Sequence, residues 1–337
     1  MDAKSFIPRG AASLPVEYDG PPRDYYFLLL PKLTLLAFTS AIEPLRVANQ
    51  ISGKALYRWF VMTEDDASVR CSCGVEISPD TKLTDLPRDA VAFVCSGIEP
   101  DRTTSAPHLQ SWITRQTAHG ARVGGICTGA FALARAGLLD GKRFTLHWEN
   151  QPAFREIFLE LEPTGHLYEI DEALLTCGGG SAASDMMLEI IERDHGPALA
   201  AIVADMCLHR RAGHRSAPQR PVYAVALGSR NPHLIAATEL MNVHIEEPVE
   251  IADVSREVGL SRRQLERLFK RYLSATPAQY YLDLRINRAH ALLNETQLSI
   301  AEIAAATGFA SSSQLAQRFK ARFGKTPSNY RKSWTGV

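Results

Sequence analysis

The run Gly125-Ile126-Cys127-Thr128-Gly129 sets a thiol between glycines, where a β-like stretch (Arg122 to Cys127) meets a helix-like one (Gly129 to Ala136). A side chain on such a strand-to-helix elbow sits on a tight, strained turn that flanking glycines permit. Amides at the start of the following helix lower a thiol's pKa and attract anions. The elbow therefore suits attack by a thiolate, or capture of a carboxylate by backbone N–H groups. His147-Trp148-Glu149, 20 residues on, adds an imidazole, an indole and a carboxylate. Cysteine with histidine is the pairing that thiol catalysis requires. A pocket wall uses the same residue types, and Cys127 is equally compatible with a small buried hydrophobe.

A second set of residues suits a polyanion. Ile251 to Val258 reads as a short helix, Gly259 as a turn and Ser261 as the cap of a helix to about Leu273. Leu265, Leu268, Phe269 and Tyr272 form its core stripe. Arg263, Glu266, Arg267 and Lys270 repeat that spacing on the other side, beside Arg262. Arginine pairs bidentately with guanine and glutamate accepts from cytosine, so this face fits a major groove. A solvated charged face has the same pattern. The grammar recurs: Ile300 to Ala306, a turn at Gly308, then a helix from Ser311 or Ser312 to about Phe323. Leu315, Phe319 and Phe323 are its core stripe; Ser312, Ser313, Gln314 and Gln317 are short polar groups suited to base edges, and Lys320 and Arg322 to phosphates. Between the units, Pro277 to Asn294 reads as one helix. Its length of roughly 27 Å can hold two recognition helices about one DNA turn (~34 Å) apart.

These side chains need elements to position them. Strands are predicted at Tyr25–Leu30, Arg58–Met62, Ala90–Cys95, Arg122–Cys127 and Leu174–Cys177. Helices are predicted at Leu33–Gln50, His108–His119, Gly129–Ala136 and, after Gly178-Gly179-Gly180, Ser181–Asp194. Such alternation implies a mostly parallel sheet covered on both faces. From His233 onward only helical periodicity remains. The expected organisation is a flexible tail (1–23), an α/β domain (24–207), a linker (208–232) and an all-α domain (233–334).

The chain of 337 residues carries 37 basic and 37 acidic side chains. A net charge of zero argues against nucleic acid as a partner, but it is an average. Residues 1–207 hold 18 basic and 27 acidic groups, and residues 208–337 hold 19 basic and 10 acidic, so the halves carry −9 and +9. The basic half therefore calls for an anionic partner. No apolar run is long enough to span a bilayer. Pro8, Pro15, Pro21 and Pro22 interrupt the N-terminus, which does not read as a signal peptide. Six scattered cysteines suggest reduced thiols in a cytoplasm. Cys71-Ser72-Cys73 lacks a second pair at zinc spacing, so no metal site is expected.

The run Ser261 to Phe269 resembles the first recognition helix of the AraC-type transcriptional regulators. Pro277 to Leu282, Leu284-Arg285, Arg288-Ala289 and Leu292-Leu293 continue the resemblance. Ile300 to Ala304, Gly308-Phe309, Phe319-Lys320, Phe323-Gly324 and Thr326 to Arg331 match its second signature. Gln317 departs, since many members carry a basic or longer side chain there. The elbow half resembles the class I glutamine amidotransferase and PfpI-like fold. It departs from the enzymes of that fold at Thr128, where the peptidases usually have histidine, and at His147, which lies too early for the amidotransferase base. Together the halves resemble the GlxA-type branch, through Glu43 to Asn49, Cys127 to Phe131, Ala136 to Gly141, Thr145 to Glu149 and Gly178-Gly179. Within it, Glu43 to Gln50 with Tyr57-Arg58-Trp59 is most similar to regulators answering glycine betaine or carnitine; arginine-responsive regulators are near relatives.

The resemblance implies a flavodoxin-like sensor domain and two helix-turn-helix units. It also implies sequence-specific binding to promoter DNA, most often for activation, with RNA polymerase as a partner and a homodimer formed through the sensor. No cofactor is expected. For a quaternary amine effector, Trp148, Phe131 and Trp59 are candidates for the aromatic wall, and Glu43 for a nearby negative charge. The effector's carboxylate would suit the amides of Thr128 and Gly129, or the helix start after Gly180, with Cys127, His147 and Gly179 lining the site. The rival is a cysteine hydrolase or amidotransferase with an appended DNA-binding domain.

Overall fold

Tyr25 to Leu30 are all buried, because both faces of their strand are covered: Tyr25, Phe27 and Leu29 enter one core, and Tyr26, Leu28 and Leu30 the other. A computed structural model describes residues 10, 12–171, 174–211, 219 and 231–332. The chain divides into two units, Met1–Gln219 and Arg220–Val337.

The first unit is built on β1 (Arg23–Leu29), β2 (Tyr57–Thr63), β3 (Val69–Arg70), β4 (Glu76–Ile77), β5 (Thr81–Lys82), β6 (Val91–Cys95), β7 (Arg122–Ile126), β8 (Tyr168–Asp171) and β9 (Leu174–Cys177). Seven of them form one sheet in the order β5-β2-β1-β6-β7-β9-β8. Every neighbouring pair is parallel except β8 with β9. The helices are α1 (Leu35–Ser52), α2 (Pro100–Thr103), α3 (Pro107–His119), α4 (Ala130–Arg135), α5 (Gln151–Ile157), α6 (Ala182–His195) and α7 (Pro197–Met206). Residues of α1, α6 and α7 fill one core, and those of α3, α4 and α5 the other. The expected strands and helices recur with shifted ends. The sequence pattern hid the two-residue strands, the edge strand β8, and the helices α2, α5 and α7.

The chain leaves β1 for β2 on one side and returns to β6 on the other. This reversal opens a crevice at the carboxyl ends of β1 and β6, where open α/β sheets bind ligands.

The N-terminal stretch expected to be flexible is tied down where it is described. Leu14 donates its N–H to Ile51 O at 2.9 Å, and Tyr18 packs edge-on against His195. Residues 1–9 and 11 of that expected tail lie outside the described residues. So does most of the expected linker, 212–218 and 220–230. Its described part docks on the first unit: His209 Nε2 lies 3.1 Å from Asp185, and Arg211 Nη1 is 2.5 Å from Glu192.

The second unit is helical: α8 (Pro232–Val243), α9 (Ile251–Glu257), α10 (Arg262–Leu273), α11 (Pro277–Glu295), α12 (Ile300–Ala306), α13 (Ser312–Phe323) and α14 (Pro327–Lys332). The pairs α9–α10 and α12–α13 are the two helix-turn-helix units. Ser261 and Ser299 each form a capping box, with Gln264 and Glu302. Leu265, Phe269, Leu315 and Phe319 are fully buried. Tyr272, expected in the core stripe, is 37% exposed, with the Arg271 guanidinium 5.4 Å over its ring.

Candidate functional site

Cys127 follows β7 with φ +60, so the elbow is a strained turn. Lys32 after β1 (φ +62) and Glu99 after β6 (φ +55) are also left-handed, and a 2.5 Å ion pair joins them. Three strained non-glycine residues thus follow the three adjacent strands that border the crevice. The Lys32 loop bridges to the Glu99 loop through Leu33 and Gly97, and Thr128 Oγ1 donates to Gly97 O at 2.8 Å. The Thr34 hydroxyl, at the start of α1, is 3.7 Å from Cys127 Sγ. Gly179 closes the other side: with φ +84, a Cβ there would lie 2.7 Å from Cys127 Cβ.

The thiol is poorly prepared as a nucleophile. Burial pushes its pKa up to about 11, against the pull of the Thr34 hydroxyl and the Thr128 amide. The carboxylate it senses is Glu149. His147 donates its backbone N–H to Cys127 O at 3.3 Å, while its ring lies 4.0 Å from Glu149 and pairs with Asn150. Burial holds the imidazole below its ordinary pKa, partly offset by Glu149. Trp148 is 38% exposed and tilts against the His147 ring at 5.5 Å.

Several expected ligand contacts have other roles here. Phe131 is fully buried between Phe154 and Phe158, so it is core and not a pocket wall. Trp59 is likewise in the core on β2. Glu43 bonds Arg46 one turn on and influences Cys207 near the end of α7, not Cys127. The Gly129 N–H is already bonded to Ile126 O at 3.0 Å, and the Thr128 amide turns to the Cys127 thiol. The Gly129 amide is therefore occupied, because the turn uses it to close itself. The start of α6, beyond Gly179 and Gly180, has no side-chain cap.

Sequence reasoning missed Lys32, Thr34, Glu99 and Gln219. Left-handed backbone at a lysine or glutamate leaves no compositional mark. Gln219 is the last residue of the first unit. Its Nε2 donates to Thr145 Oγ1 (2.9 Å), Leu146 O (2.9 Å) and His166 O (2.7 Å). Its Oε1 accepts from Trp148 N–H at 2.8 Å, and its own N–H donates to Gly165 O at 3.0 Å. Gly178 leaves the room: a Cβ there would lie 2.5 Å from the Gln219 amide.

In the second unit, Arg263, Glu266, Arg267 and Lys270 are exposed on α10, opposite its buried stripe. Glu266 pairs with Arg262 at 3.1 Å, so its carboxylate must exchange partners to reach a base. On α13, Ser313, Gln317 and Lys320 are exposed and Ser312 is half-buried. Gln314 is exposed, but its Oε1 caps the Ala310 N–H at 2.9 Å, which leaves only its amino group for a base. Arg271 and Arg318 are also exposed on these helices.

A profile described as "Helix-turn-helix domain" matches residues 254–333, and one described as "DJ-1/PfpI family" matches residues 33–193. The HTH-type transcriptional regulator GbdR of Pseudomonas aeruginosa is 39% identical over 92% of this chain and 84% of its own length. The regulator CdhR of the same species is 40% identical over 92% and 91%. The crystal structure of an AraC family transcriptional regulator from Pseudomonas putida covers 55% of this chain and all of that one, with 26% identity and a TM-score of 0.50. Fold and site define a DNA-binding transcriptional regulator that joins a DJ-1/PfpI-type domain to two helix-turn-helix units. The chain belongs to the AraC-type regulators of the GlxA-type branch.

Proposed function

We propose that the chain is a transcriptional activator controlled by a small zwitterionic nitrogen compound, with a quaternary amine such as glycine betaine or carnitine as the leading candidate. The observation that carries this reading is the convergence of Lys32, Glu99 and Cys127, all in strained backbone, on the switch-point crevice. Strain of this kind clusters at ligand sites, where the surrounding fold maintains it. Trp148 supplies the aromatic face for the cation, with Glu149 as the nearby charge. The carboxylate is drawn to the positive end of α6, which no side chain caps and whose Ala182 and Ser184 N–H groups bond only the local Gly179 O and Ser181 O. A thiol with a pKa of about 11 is protonated at neutral pH, which supports binding over hydrolysis.

The signal leaves through Gln219. An effector that shifts Trp148 disturbs the bond to Gln219 Oε1 and hence the chain just before the DNA-binding unit. A homodimer formed through the first unit, contact with RNA polymerase and a cytoplasmic location complete the reading. No described helix is long and apolar enough to cross a membrane.

A thermal-shift screen of betaine, carnitine, choline and arginine tests it. A true effector at 100 times its Kd stabilises the protein by about 2.7 kcal/mol. A shift with arginine alone would move the assignment to an amino-acid effector. Hydrolysis of candidate amides that vanishes in Cys127→Ala would overturn the binding reading in favour of an enzyme.

A further inference from the structure

Tyr281 and Arg285 sit one turn apart on α11 and face the same way. The Tyr281 hydroxyl donates to His244 O at 2.5 Å and accepts the Val249 N–H at 3.4 Å. It thereby holds the segment that leads into the first helix-turn-helix. Arg285 holds the second. Its Nε donates to Thr307 O at 2.8 Å and its Nη2 to Gly308 O at 2.5 Å, while the guanidinium lies 4.4 Å over the Phe309 ring. Residues 307–309 are the turn between α12 and α13. The turn at Gly308 also touches the segment between α8 and α9 directly. A Cβ on Gly308 would lie 2.5 Å from Pro248 Cγ and 2.6 Å from Ile245 O, and Gly308 has φ +67. The bases of the two units therefore meet at one joint, closed from the side by α11.

A planar fork suits this joint. Two adjacent carbonyls and an aromatic face match a guanidinium, whereas a lysine ammonium is a point donor that cannot meet all three. The turn is also the pivot of α13, since Ser312 begins that helix three residues beyond Phe309. A small rotation there swings the whole reading face.

We propose that Arg285 is the positioning residue that fixes the separation and angle of the two recognition helices, and so the half-site spacing the regulator accepts. It acts through the turn; the exposed faces of α10 and α13 do the reading. The inference rests on the assignment of both helices to DNA grooves. Inserting one base pair between half-sites turns the second by about 36° and moves it ~3.4 Å. A rigid joint penalises that change and a loosened one tolerates it.

The test uses the full-length protein and in vitro selection from a random duplex library. Wild type, Arg285→Lys, Arg285→Ala and Gly308→Ala are each selected, then titrated on the wild-type duplex and on versions one base pair longer or shorter. Wild type is expected to select two half-sites at a single spacing and to lose about tenfold or more in affinity on either length change. Arg285→Lys should keep both half-site sequences but lose less than about threefold on the length change. Uniform weakening at every spacing, an unchanged spacing penalty, or selection of one half-site by wild type overturns the proposal. If Arg285→Ala fails to fold by circular dichroism, Arg285→Lys and Phe309→Leu, which removes only the stack, carry the test. Arg263→Ala and Gln317→Ala are selected in parallel. An unchanged motif in these two would fault the recognition-helix assignment instead of the joint.

Discussion

At the residue scale, the crevice separates side chains that resemble one another in the sequence. Phe131 and Trp148 are both aromatic and near the elbow, yet one is sealed in the core and the other is 38% exposed. Phe131→Ala should cost about 3–5 kcal/mol in urea unfolding, because it leaves a cavity among Phe154 and Phe158. Trp148→Ala should shift stability by only about 0.5 kcal/mol. It should weaken effector binding by up to roughly thirtyfold, the worth of a desolvated cation–π contact of about 2 kcal/mol, as measured by calorimetry. Equal effects of the two on stability would remove Trp148 from the pocket wall. Gly179→Ala adds a methyl 2.7 Å from Cys127 Cβ in a left-handed backbone. A loss of about 1–3 kcal/mol is expected from the denaturation midpoint, with the elbow displaced.

At the element scale, α11 packs against helices of both helix-turn-helix units. Its His290 stacks on Phe323 at 4.6 Å and shares a 2.8 Å hydrogen bond with Tyr330, tying α13 and α14 to it. Burial holds this imidazole below its ordinary pKa. The unfolded chain therefore takes up the proton first as pH falls. His290 contributes stability above its unfolded pKa of about 6.5, and that contribution is lost as pH drops through the lower folded value. Urea midpoints of the second unit should fall between pH 8 and pH 5, and His290→Gln should flatten the decline. An identical decline in the variant would assign the pH dependence to other groups.

At the scale of the whole molecule, the two charge totals predict how the chain meets DNA. The fragment Arg220–Val337 should bind non-specific duplex with log K falling steeply with log salt, by about 0.9 per phosphate neutralised. The full-length protein carries the acidic half as well, so it should bind such DNA more weakly at low salt. Equal affinities in fluorescence titrations would show that the acidic half exerts no restraint.

The two-unit architecture, the parallel sheet and the exposed faces of α10 and α13 were legible in the residues, because periodicity and caps are local properties. Alternation of apolar runs marks strands, and a serine before a core stripe marks a helix start. The elbow was legible for the same reason. Its surroundings were not. Lys32, Glu99 and Cys127 lie far apart in sequence, and only the reversal of strand order between β1 and β6 brings them together. Gln219 falls in a stretch with the composition of a linker, yet its amide bonds residues more than fifty positions away. Phe131 and Glu43 fit a pocket by type, but packing sent one into the core and the other toward α7. Residue type and spacing decided which elements form and which faces they offer. Which side chains share a crevice is a long-range property of packing, and only the tertiary structure could decide it.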